Sequence, residues 1–452
     1  MQLPEAFLNS MQALLSDGDY QHFLSEMQQP AHAFVRMNRA KSLQEMPLPQ
    51  VEWCPEGYVL KERPLFTADP LFHAGTYYVQ EQSSMFLSHM LRFLIKKPVT
   101  MIDFCASPGG KSTLALSLLP TGSTLIANEP IRSRAQVLAE NITKWGAQNC
   151  IVTNNYPQEI AATGLTADII LVDAPCSGEG MFRKDPDNIG EWSQKKVHEC
   201  QQLQRSILQE AWNCLNENGY LIYSTCTFNT LENEENLKWF TSTVNAEVVE
   251  IPIPSDWNIC GSLLKDYQEP VYRFIPGVGQ NDGQPFGEGL FMAVLQKKEP
   301  QNKAPKRLKD RQQPLNRIFY PWLMEPDHLF QTMIGNTFVA LPEQLLSSYS
   351  ALAALTIMHA GIPLATQKGK DLIPHHALAM STALQRTAFP EVALTKEEAI
   401  QYLRREAITL PDSTPKGFVF VSYDGHPLGF CKHLGNRSNN LYPQEWRIRK
   451  TL

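Results

Sequence analysis

Continuous apolar runs separated by helical patterns place the strongest limit on how this chain folds. Six segments between residues 99 and 298 read as strands: VTMIDFC, STLIANE, NCIVTN, ADIILVDA, GYLIYSTC and LFMAVLQ. Such runs are typical of strands buried on both faces of a parallel sheet. Helical patterns lie between them, and the longest begins at Ser193, a good cap, and ends before Gly219. This order predicts a doubly wound α/β domain over residues 96–298.

The rest of the chain divides into three further parts. The length of 452 residues suggests two to four domains. Residues 1–95 have the pattern of a mixed, mostly helical accessory domain. Residues 299–316 are polar, basic and proline-containing, which is typical of a linker, and residues 317–452 form a further α+β region.

Composition excludes several classes of protein. A hydrophobic content of 43% with 19% charged residues is that of an ordinary globular chain. No apolar run is long enough to span a membrane, and the start, MQLPEAFLNS, has no basic leader, so we expect a cytoplasmic protein. The nine cysteines are scattered without zinc spacing, so we expect neither a disulfide framework nor a structural metal.

Positive charge is concentrated in a few segments of a chain whose net charge is −6. Residues 301–320 carry a net charge of +5, residues 431–452 carry +4, and residues 32–41 hold three cations without an acid. Such segments are suited to a phosphate backbone, although a solvated linker and tail would look the same.

The segment MIDFCASPGGKSTLALSLL predicts a strand, a glycine-rich turn and a helix, which together point backbone N–H groups into a pocket. An ATP-binding P-loop would need glycine at Cys105, and a dinucleotide fingerprint is also absent. The next strand ends at Glu129, where an acid accepts hydrogen bonds from ribose hydroxyls. This pocket has an acid for a ribose but no phosphate-binding loop. S-adenosylmethionine carries adenosine but no phosphate, so the pattern indicates it as the cofactor.

Two cysteines follow two neighbouring predicted strands: Cys176 in LVDAPCSGEGMF and Cys226 in LIYSTCTFN. Parallel strands end on one edge of a sheet, so both thiols are expected to face one pocket with Asp173. A lone cysteine is usually a small core residue, but two at equivalent strand ends indicate chemistry. Thiolate addition at carbon 6 of cytosine makes carbon 5 able to attack a methyl group, and a protonated Asp173 would donate to the ring.

These motifs resemble those of the RNA (cytosine-5)-methyltransferases of the Sun/Fmu kind, most closely the bacterial RsmF type. DFCASPGGKS resembles the cofactor loop of this family, with Ser107 where alanine is usual. DAPCSGEGMFRKDP and YSTCTFNTLENEEN are similar to its two cysteine motifs. HAGTYYVQEQSSM and FVRMNRAK resemble segments that precede the catalytic domain. LGNRSNNLYPQEWRIR resembles the end of a PUA-like RNA-binding region, so the resemblance implies a Rossmann-like methyltransferase domain followed by such a region.

The resemblance implies roles for individual residues. It makes Cys226 the nucleophile, Cys176 the residue that assists product release, and Asp173 a contact of base and cofactor. DNA cytosine methyltransferases attack instead with a Pro-Cys cysteine and lack a TCT motif. One adenine contact falls on Asn154 or Asn155, where the family often has Asp. The other cofactor contacts implied are Cys105, Ala106, Ser107, Pro108, Gly109, Gly110, Lys111 and Glu129. Arg134 is expected to complete the cofactor site by supporting Glu129, or else is an exposed helix arginine.

Several other polar and aromatic residues have two interpretations. Arg183 and Lys184 follow a flexible GEG segment and are expected to hold RNA phosphates, or else lie in a solvated loop. Tyr442 and Trp446 either stack on unpaired bases or pack in a core. Three further residues either close the pocket or cap a helix: Gln80, Ser83 and Ser84.

The sequence thus predicts a cytidine carbon-5 methyltransferase that acts on ribosomal RNA, with small-subunit 16S rRNA as the expected substrate. Its expected partner is ribosomal RNA or a ribosomal subunit, and nothing demands more than a monomer. The alternatives are a tRNA methyltransferase of the same chemistry and a non-catalytic assembly factor that binds RNA. An intact pair of cysteines beside Asp173 argues against the scaffold, because a scaffold needs none of them.

Overall fold

The N-terminal part pairs a helical hairpin with a small antiparallel sheet. A computed structural model describes residues 2–279, 287–298 and 313–449. The elements are α1 (Glu5–Leu14), α2 (Asp17–Met27), β1 (Ala33–Met37), β2 (Gln50–Val51), β3 (Cys54–Leu60), α3 (Pro70–His73), β4 (Tyr77–Val79) and α4 (Leu87–Leu94). The sheet order is β2-β3-β1-β4. Ser16 begins α2 by accepting the backbone N–H of Asp19, as an N-cap does.

The central part is an α/β unit built on one large sheet. Its elements are β5 (Thr100–Asp103), α5 (Gly110–Leu118), β6 (Thr124–Asn128), α6 (Arg132–Trp145), β7 (Cys150–Thr153), α7 (Pro157–Ala162), β8 (Ala167–Asp173), α8 (Asp187–Glu191), α9 (Gln194–Asn213), β9 (Leu215–Thr225), α10 (Glu234–Thr243), β10 (Ala246–Val248), β11 (Tyr272–Phe274) and β12 (Leu290–Lys297). The five neighbours β9-β8-β5-β6-β7 are parallel, and β12 joins β9 antiparallel. The doubly wound sheet predicted from the apolar runs is confirmed.

Burial explains why these strands lack polar alternation. Consecutive residues of β5, such as Met101 and Ile102, point to opposite faces of the sheet and belong to separate apolar cores. Both faces are therefore closed by helices, and only the ends of the strands are open. The carboxyl ends of β5, β8 and β9 consequently lie side by side, and the loops that follow them share one edge.

The C-terminal part contains two more sheets. Its elements are β13 (Gln313–Pro314), β14 (Leu329–Ile334), β15 (Thr337–Pro342), α11 (Leu346–Ala351), β16 (Ile357–Ala360), β17 (Ile362–Lys368), β18 (Asp371–Pro374), α12 (His376–Met380), β19 (Glu391–Ala393), α13 (Lys396–Leu403), β20 (Gly417–Tyr423), β21 (His426–His433) and β22 (Ser438–Asn440). The sheet orders are β13-β14-β15-β17-β18 and β19-β20-β21-β22.

The C-terminal part is not a separate unit. Strand β16 pairs antiparallel with β7 and so adds an edge strand to the central sheet. The expected linker at 299–316 is only partly described: residues 299–312 lie outside the described residues, and Gln313–Pro314 is already a strand paired with β14. Within the described ranges, no helix is both long and apolar enough to cross a bilayer.

Candidate active site

The loop between β5 and α5 forms one wall of a cavity at the carboxyl edge of the sheet. Gly109 begins α5 with a φ of 111°, a left-handed conformation that favours glycine. A Cβ on Gly110 would lie 3.3 Å from Cε1 of Tyr78, so β4 approaches the loop closely. The cavity has a volume of about 180 Å³. It is lined by Tyr78, Val79, Gln80, Glu81, Ser84, Asp103, Cys105, Ala106, Ser107, Pro108, Gly110, Lys111 and Asp173.

Asp103 is a buried carboxyl group in this wall that the sequence analysis missed. Its Oδ2 accepts a hydrogen bond of 2.6 Å from the Ser112 hydroxyl. No partner for its Oδ1 exists among the described residues, although the atom is buried. Burial raises the pKa of Asp103 to about 7. Gln80 presents a second unpartnered group, its Nε2, to the same cavity. Both groups are available to a polar ligand.

Lys111 and Asp173 form an ion pair across the cavity. The Lys111 ammonium lies 2.8 Å from Oδ2 of Asp173, and the Ser224 hydroxyl donates to Oδ1 at 2.7 Å. Burial alone would lower the pKa of Lys111, but the Asp173 carboxylate raises it above its ordinary value. Both oxygens of Asp173 are thus engaged by Lys111 and Ser224, and donation by Asp173 to a cytosine ring stays a prediction.

The two cysteines meet beside this ion pair. Their sulfur atoms are 3.2 Å apart, so one thiol can donate to the other sulfur. The hydrogen bond from Cys176 lowers the pKa of Cys226, and the cations of Lys111 and Lys184 act in the same direction against burial and Asp173. The pKa of Cys176 is raised well above its ordinary value, because it shares its proton with Cys226 and is buried near Glu232. The directions of these two shifts favour the thiolate on Cys226 over one on Cys176.

Two buried glutamates hold the cysteine loops in register, and the sequence analysis missed both. Glu179 accepts hydrogen bonds from the Thr227 hydroxyl, the backbone N–H groups of Phe228 and Asn229, and the Trp192 indole. Glu232 accepts from the backbone of Ser177 and the amides of Gln204 and Asn229. The signal was present in the acidic residues of GEG and TLENEEN, but an acid in a loop usually reads as solvated.

The predicted ribose acid and its neighbours lie behind the cofactor loop. Glu129 is buried, and its Oε2 is 3.4 Å from a guanidinium nitrogen of Arg134. Arg134 also donates to the carbonyl of Ser107 at 3.4 Å, so it braces the loop against Glu129. The amide of Asn154 donates to the carbonyls of Glu129 and Pro130.

The structure does not place Asn155 where the sequence analysis expected a cofactor contact. Its side-chain N–H donates to the carbonyl of Thr356 at 3.1 Å, and its Oδ1 accepts the N–H of Thr356 at 3.1 Å. Both ends of the amide are thus used by the backbone that leads into β16. Asn155 joins two parts of the chain, and the expectation of an adenine contact at this residue is corrected.

The expected phosphate contact at Arg183 is also corrected. Its side chain is 3% exposed and forms ion pairs with Glu26 and Glu288, at 2.8 and 2.6 Å. Glu26 belongs to α2 and Glu288 to the catalytic unit, so the Arg183 guanidinium holds α2 against that unit. Lys184 differs, because it is exposed and its charge acts on Cys226. Of the two, only Lys184 is accessible to RNA.

Comparisons with known proteins decide the family. The model for the 16S rRNA methyltransferase RsmB/F matches residues 94–296, that for the RsmF N-terminal domain residues 3–82, and that for the RsmF PUA domain residues 389–448. The ribosomal RNA small subunit methyltransferase F of Salmonella heidelberg is 30% identical over 98% of this chain and 96% of its own. The chain belongs to the RsmF family.

Further relatives of this RsmF-family chain agree. The methyltransferase F of Erwinia tasmaniensis is 28% identical over 98% of this chain and 96% of its own. A methyltransferase homologue from Pyrococcus horikoshii has a TM-score of 0.52 at 24% identity, over 65% of this chain and all of its own. NSun6 of the same organism, solved with SFG, has a TM-score of 0.52 at 20% identity, over 66% of this chain and 98% of its own. The two structures support the Rossmann-like fold.

The RsmF-family chain is therefore an RNA methyltransferase that depends on S-adenosylmethionine. The cavity fits such a cofactor: its two unpartnered polar groups offer hydrogen bonds, and its glycines admit a close approach. Within residues 2–279, 287–298 and 313–449, no group of three His, Cys, Asp or Glu side chains is arranged to hold a metal ion.

Two groups of residues expected at an RNA surface lie inside the RsmF-family fold. Arg36 is 1% exposed and donates to Gly110 and Gln80 at the cofactor loop, and Lys41 donates to backbone carbonyls. Tyr442 is 1% exposed and packs in the C-terminal core. These residues stabilise the fold, so core packing is the correct alternative for Tyr442.

Proposed function

We propose that this chain methylates carbon 5 of a cytidine in small-subunit ribosomal RNA, with Cys226 as the nucleophile. One observation carries the proposal: two cysteine sulfurs lie 3.2 Å apart, beside a Lys111–Asp173 ion pair and the cavity walled by the loop 105–111. Methylation of an exocyclic amine or a ribose needs no thiol. A pair of thiols suits a reaction that forms and then breaks a bond to the base.

The cofactor would be held by the loop 105–111, with Asp103 and Gln80 as additional polar partners. Bound S-adenosylmethionine supplies an electrophilic methyl group. Gly109 and Gly110 have no side chains, so a ligand can approach the backbone of the loop closely. Glu129, which is held by Arg134, is the acid proposed to accept hydrogen bonds from the ribose hydroxyls. Ala106, Ser107 and Pro108 line the same wall.

The chemistry of the base is assigned to the cysteines. The thiolate of Cys226 adds to carbon 6 of the cytosine, which raises the electron density at carbon 5. After carbon 5 has been methylated, a solvent water takes its proton, the double bond between carbons 5 and 6 re-forms, and the bond between carbon 6 and the Cys226 sulfur breaks to return the thiolate. The Cys176 sulfur lies 3.2 Å from that sulfur, within reach of a hydrogen bond, so we assign Cys176 to the expulsion step. Asp173 keeps Lys111 charged next to both groups.

The substrate is proposed from the relatives and from the arrangement of the chain. The relatives are named ribosomal RNA small subunit methyltransferases, and a PUA domain model matches the C-terminal part. A base paired in a helix must leave its stack to reach Cys226. Exposed Lys184 is the nearby cation suited to a phosphate. A tRNA substrate remains the second candidate. Monomeric state and cytoplasmic location stay predictions.

The decisive experiment transfers labelled methyl groups to protein-free 16S rRNA and, separately, to tRNA. Cys226→Ala should abolish transfer, because it removes the proposed nucleophile. Cys176→Ala should accumulate a protein–RNA adduct that survives denaturant. Cys260→Ala is the matched control, since Cys260 lies outside the site, and it should behave like the wild type. Full activity of Cys226→Ala would overturn the assignment, and transfer to tRNA alone would overturn the substrate.

A further inference from the structure

A second and larger cavity lies where three parts of the chain meet. Its volume is about 470 Å³, within the range of pockets that hold small organic groups. One wall is the outer face of α6, a second is the sheet of β14, β15 and β17, and the third is the segment that carries Trp446. The catalytic unit and the family's PUA domain thus share this cavity.

Two buried histidines line the cavity, and one of them has unused hydrogen-bonding groups. His376 is 8% exposed, and neither of its ring nitrogens has a partner among the described residues. His359 is 6% exposed, and its ring interacts with the Gly361 backbone and the Thr143 hydroxyl. A buried polar atom without a partner is costly, so the ring of His376 would gain from a ligand. Trp446 adds an aromatic surface 5.1 Å from the ring of His376.

The electrostatics of the cavity favour a neutral polar ligand over an anion. Burial lowers the pKa of His359 to about 4, and burial with nearby Lys144 lowers that of His376 well below its ordinary value. Neutral imidazole both donates and accepts hydrogen bonds, as the edge of a nucleobase does. Glu140 and Glu445 also line the cavity, and their charge opposes a phosphate inside it.

Two exposed cations suited to an RNA phosphate backbone neighbour lining residues of the cavity in sequence. Arg132 precedes a lining residue of α6, Arg447 follows Trp446, and both are exposed. An aromatic interior whose acids oppose a phosphate, with exposed cations next to its lining residues in sequence, matches a nucleotide whose base points inward and whose phosphates stay in solvent.

We propose that this cavity, lined by His359, His376 and Trp446, binds an unpaired base of the RNA substrate. The proposal rests on the proposed function, because it assumes that RNA is the substrate. Since α6 begins next to the cofactor loop, a base held here would fix the RNA relative to Cys226. It would act in binding and not in the methyl-transfer step.

The test fills the cavity without removing a core contact. Val137 lines it and is 44% exposed, so Val137→Trp should fold and occupy the space. Leu203→Trp is the matched control, because Leu203 is 49% exposed on α9 and does not line the cavity. Protein-free 16S rRNA is the probe. Val137→Trp should weaken binding about tenfold, as expected for loss of one stacked base, and raise KM with kcat unchanged.

A second variant separates hydrogen bonding from shape. His376→Phe keeps the ring against Trp446 and removes both nitrogens, so it should weaken binding less than Val137→Trp does. RNA that contains 4-thiouridine should cross-link to the peptide that carries Trp446. Unchanged binding of RNA by Val137→Trp would overturn the proposal. A loss of binding that is seen only with assembled subunits would also overturn it, because it would indicate that the cavity binds a protein. Binding is measured without catalysis, so a wild type that binds but does not methylate would refute the proposed function alone.

Discussion

At the scale of single residues, the site depends on which of two neighbouring thiols is ionised. The sulfurs of Cys176 and Cys226 lie 3.2 Å apart, but the charged groups around them differ. The hydrogen bond with Cys176 and the cations of Lys111 and Lys184 favour a thiolate at Cys226 against burial and Asp173, whereas burial and Glu232 both oppose a thiolate at Cys176. This asymmetry gives a physical reason for the roles that the family resemblance implies, and it does not depend on the resemblance.

Replacing Lys111 should move the ionisation of Cys226. Lys111→Met removes a cation that favours the thiolate and leaves the charge of Asp173 unpaired beside it, so both effects favour the neutral thiol. The pKa of Cys226 should therefore rise. Alkylation of the Cys226 peptide by iodoacetamide, followed by mass spectrometry across pH, should therefore move to higher pH. Lys184→Met should produce a smaller rise, because solvent screens an exposed cation. An unmoved profile would contradict the assignment.

The same two thiols should form a disulfide under mild oxidation. Sulfurs 3.2 Å apart need little movement to bond. Hydrogen peroxide takes two protons and two electrons from the pair and is reduced to two waters. We expect methyl transfer to be lost and then restored by dithiothreitol, with peptide mapping showing Cys176 linked to Cys226. Cys176→Ala should show no such link. Free thiols at both positions in the inactivated protein would argue against this outcome.

At the scale of elements, the N-terminal strands and helices support the catalytic loops. Strand β1 carries Arg36, whose guanidinium donates to the Gly110 carbonyl and the Thr113 hydroxyl at the start of α5 and lies 4.5 Å from the Trp145 ring. Helix α1 buries Phe7 against Phe182, and α2 buries Phe23 against Phe228. These two partners belong to the two cysteine motifs. The accessory domain is thus part of the support of the site.

Replacing Arg36 should therefore damage cofactor binding from a distance. Arg36→Met leaves Gln80 Oε1 without its buried donor and removes one of the donors to the Gly110 carbonyl, which costs about 1–3 kcal/mol for such groups. Urea unfolding should show this loss, and the Kd for S-adenosylmethionine should rise because the start of α5 loosens. Arg39→Met is the control, since Arg39 contacts only its own domain through Tyr58 and nearby carbonyls. Equal effects of the two variants would contradict a specific role for Arg36.

The elements themselves were largely predictable, but their long-range contacts were not. Apolar runs located β5 to β9, and the order of motifs placed Cys176 and Cys226 on one edge, because strand ends follow from topology. Asp103 was missed since it reads as the end of a buried strand. Arg36 and Arg183 were misread as surface cations, because their partners are distant in sequence. Pairing of β16 with β7 has no local signal at all.

At the scale of the whole molecule, the C-terminal part completes the catalytic core. Strand β16 continues the central sheet, and Val339, Leu341 and Tyr349 pack in the same apolar core as Ile126 and Ile151 of that sheet. The cofactor loop, the second cavity and the C-terminal sheets therefore belong to one connected structure. A substrate bound at the C-terminal part is held at a fixed position relative to the cysteines.

Asn155 tests this connection. Asn155→Ala removes two hydrogen bonds to the Thr356 backbone in a site where Asn155 is 6% exposed. It should lower the free energy of unfolding by about 1–3 kcal/mol, and hydrogen exchange should quicken in both β7 and β16, because the two strands protect one another. Asn439→Ala, at an exposed position of β22, is the control and should leave both strands protected. Faster exchange confined to β16 would mean that the central sheet is stable without it, and the C-terminal part would then be an appended domain.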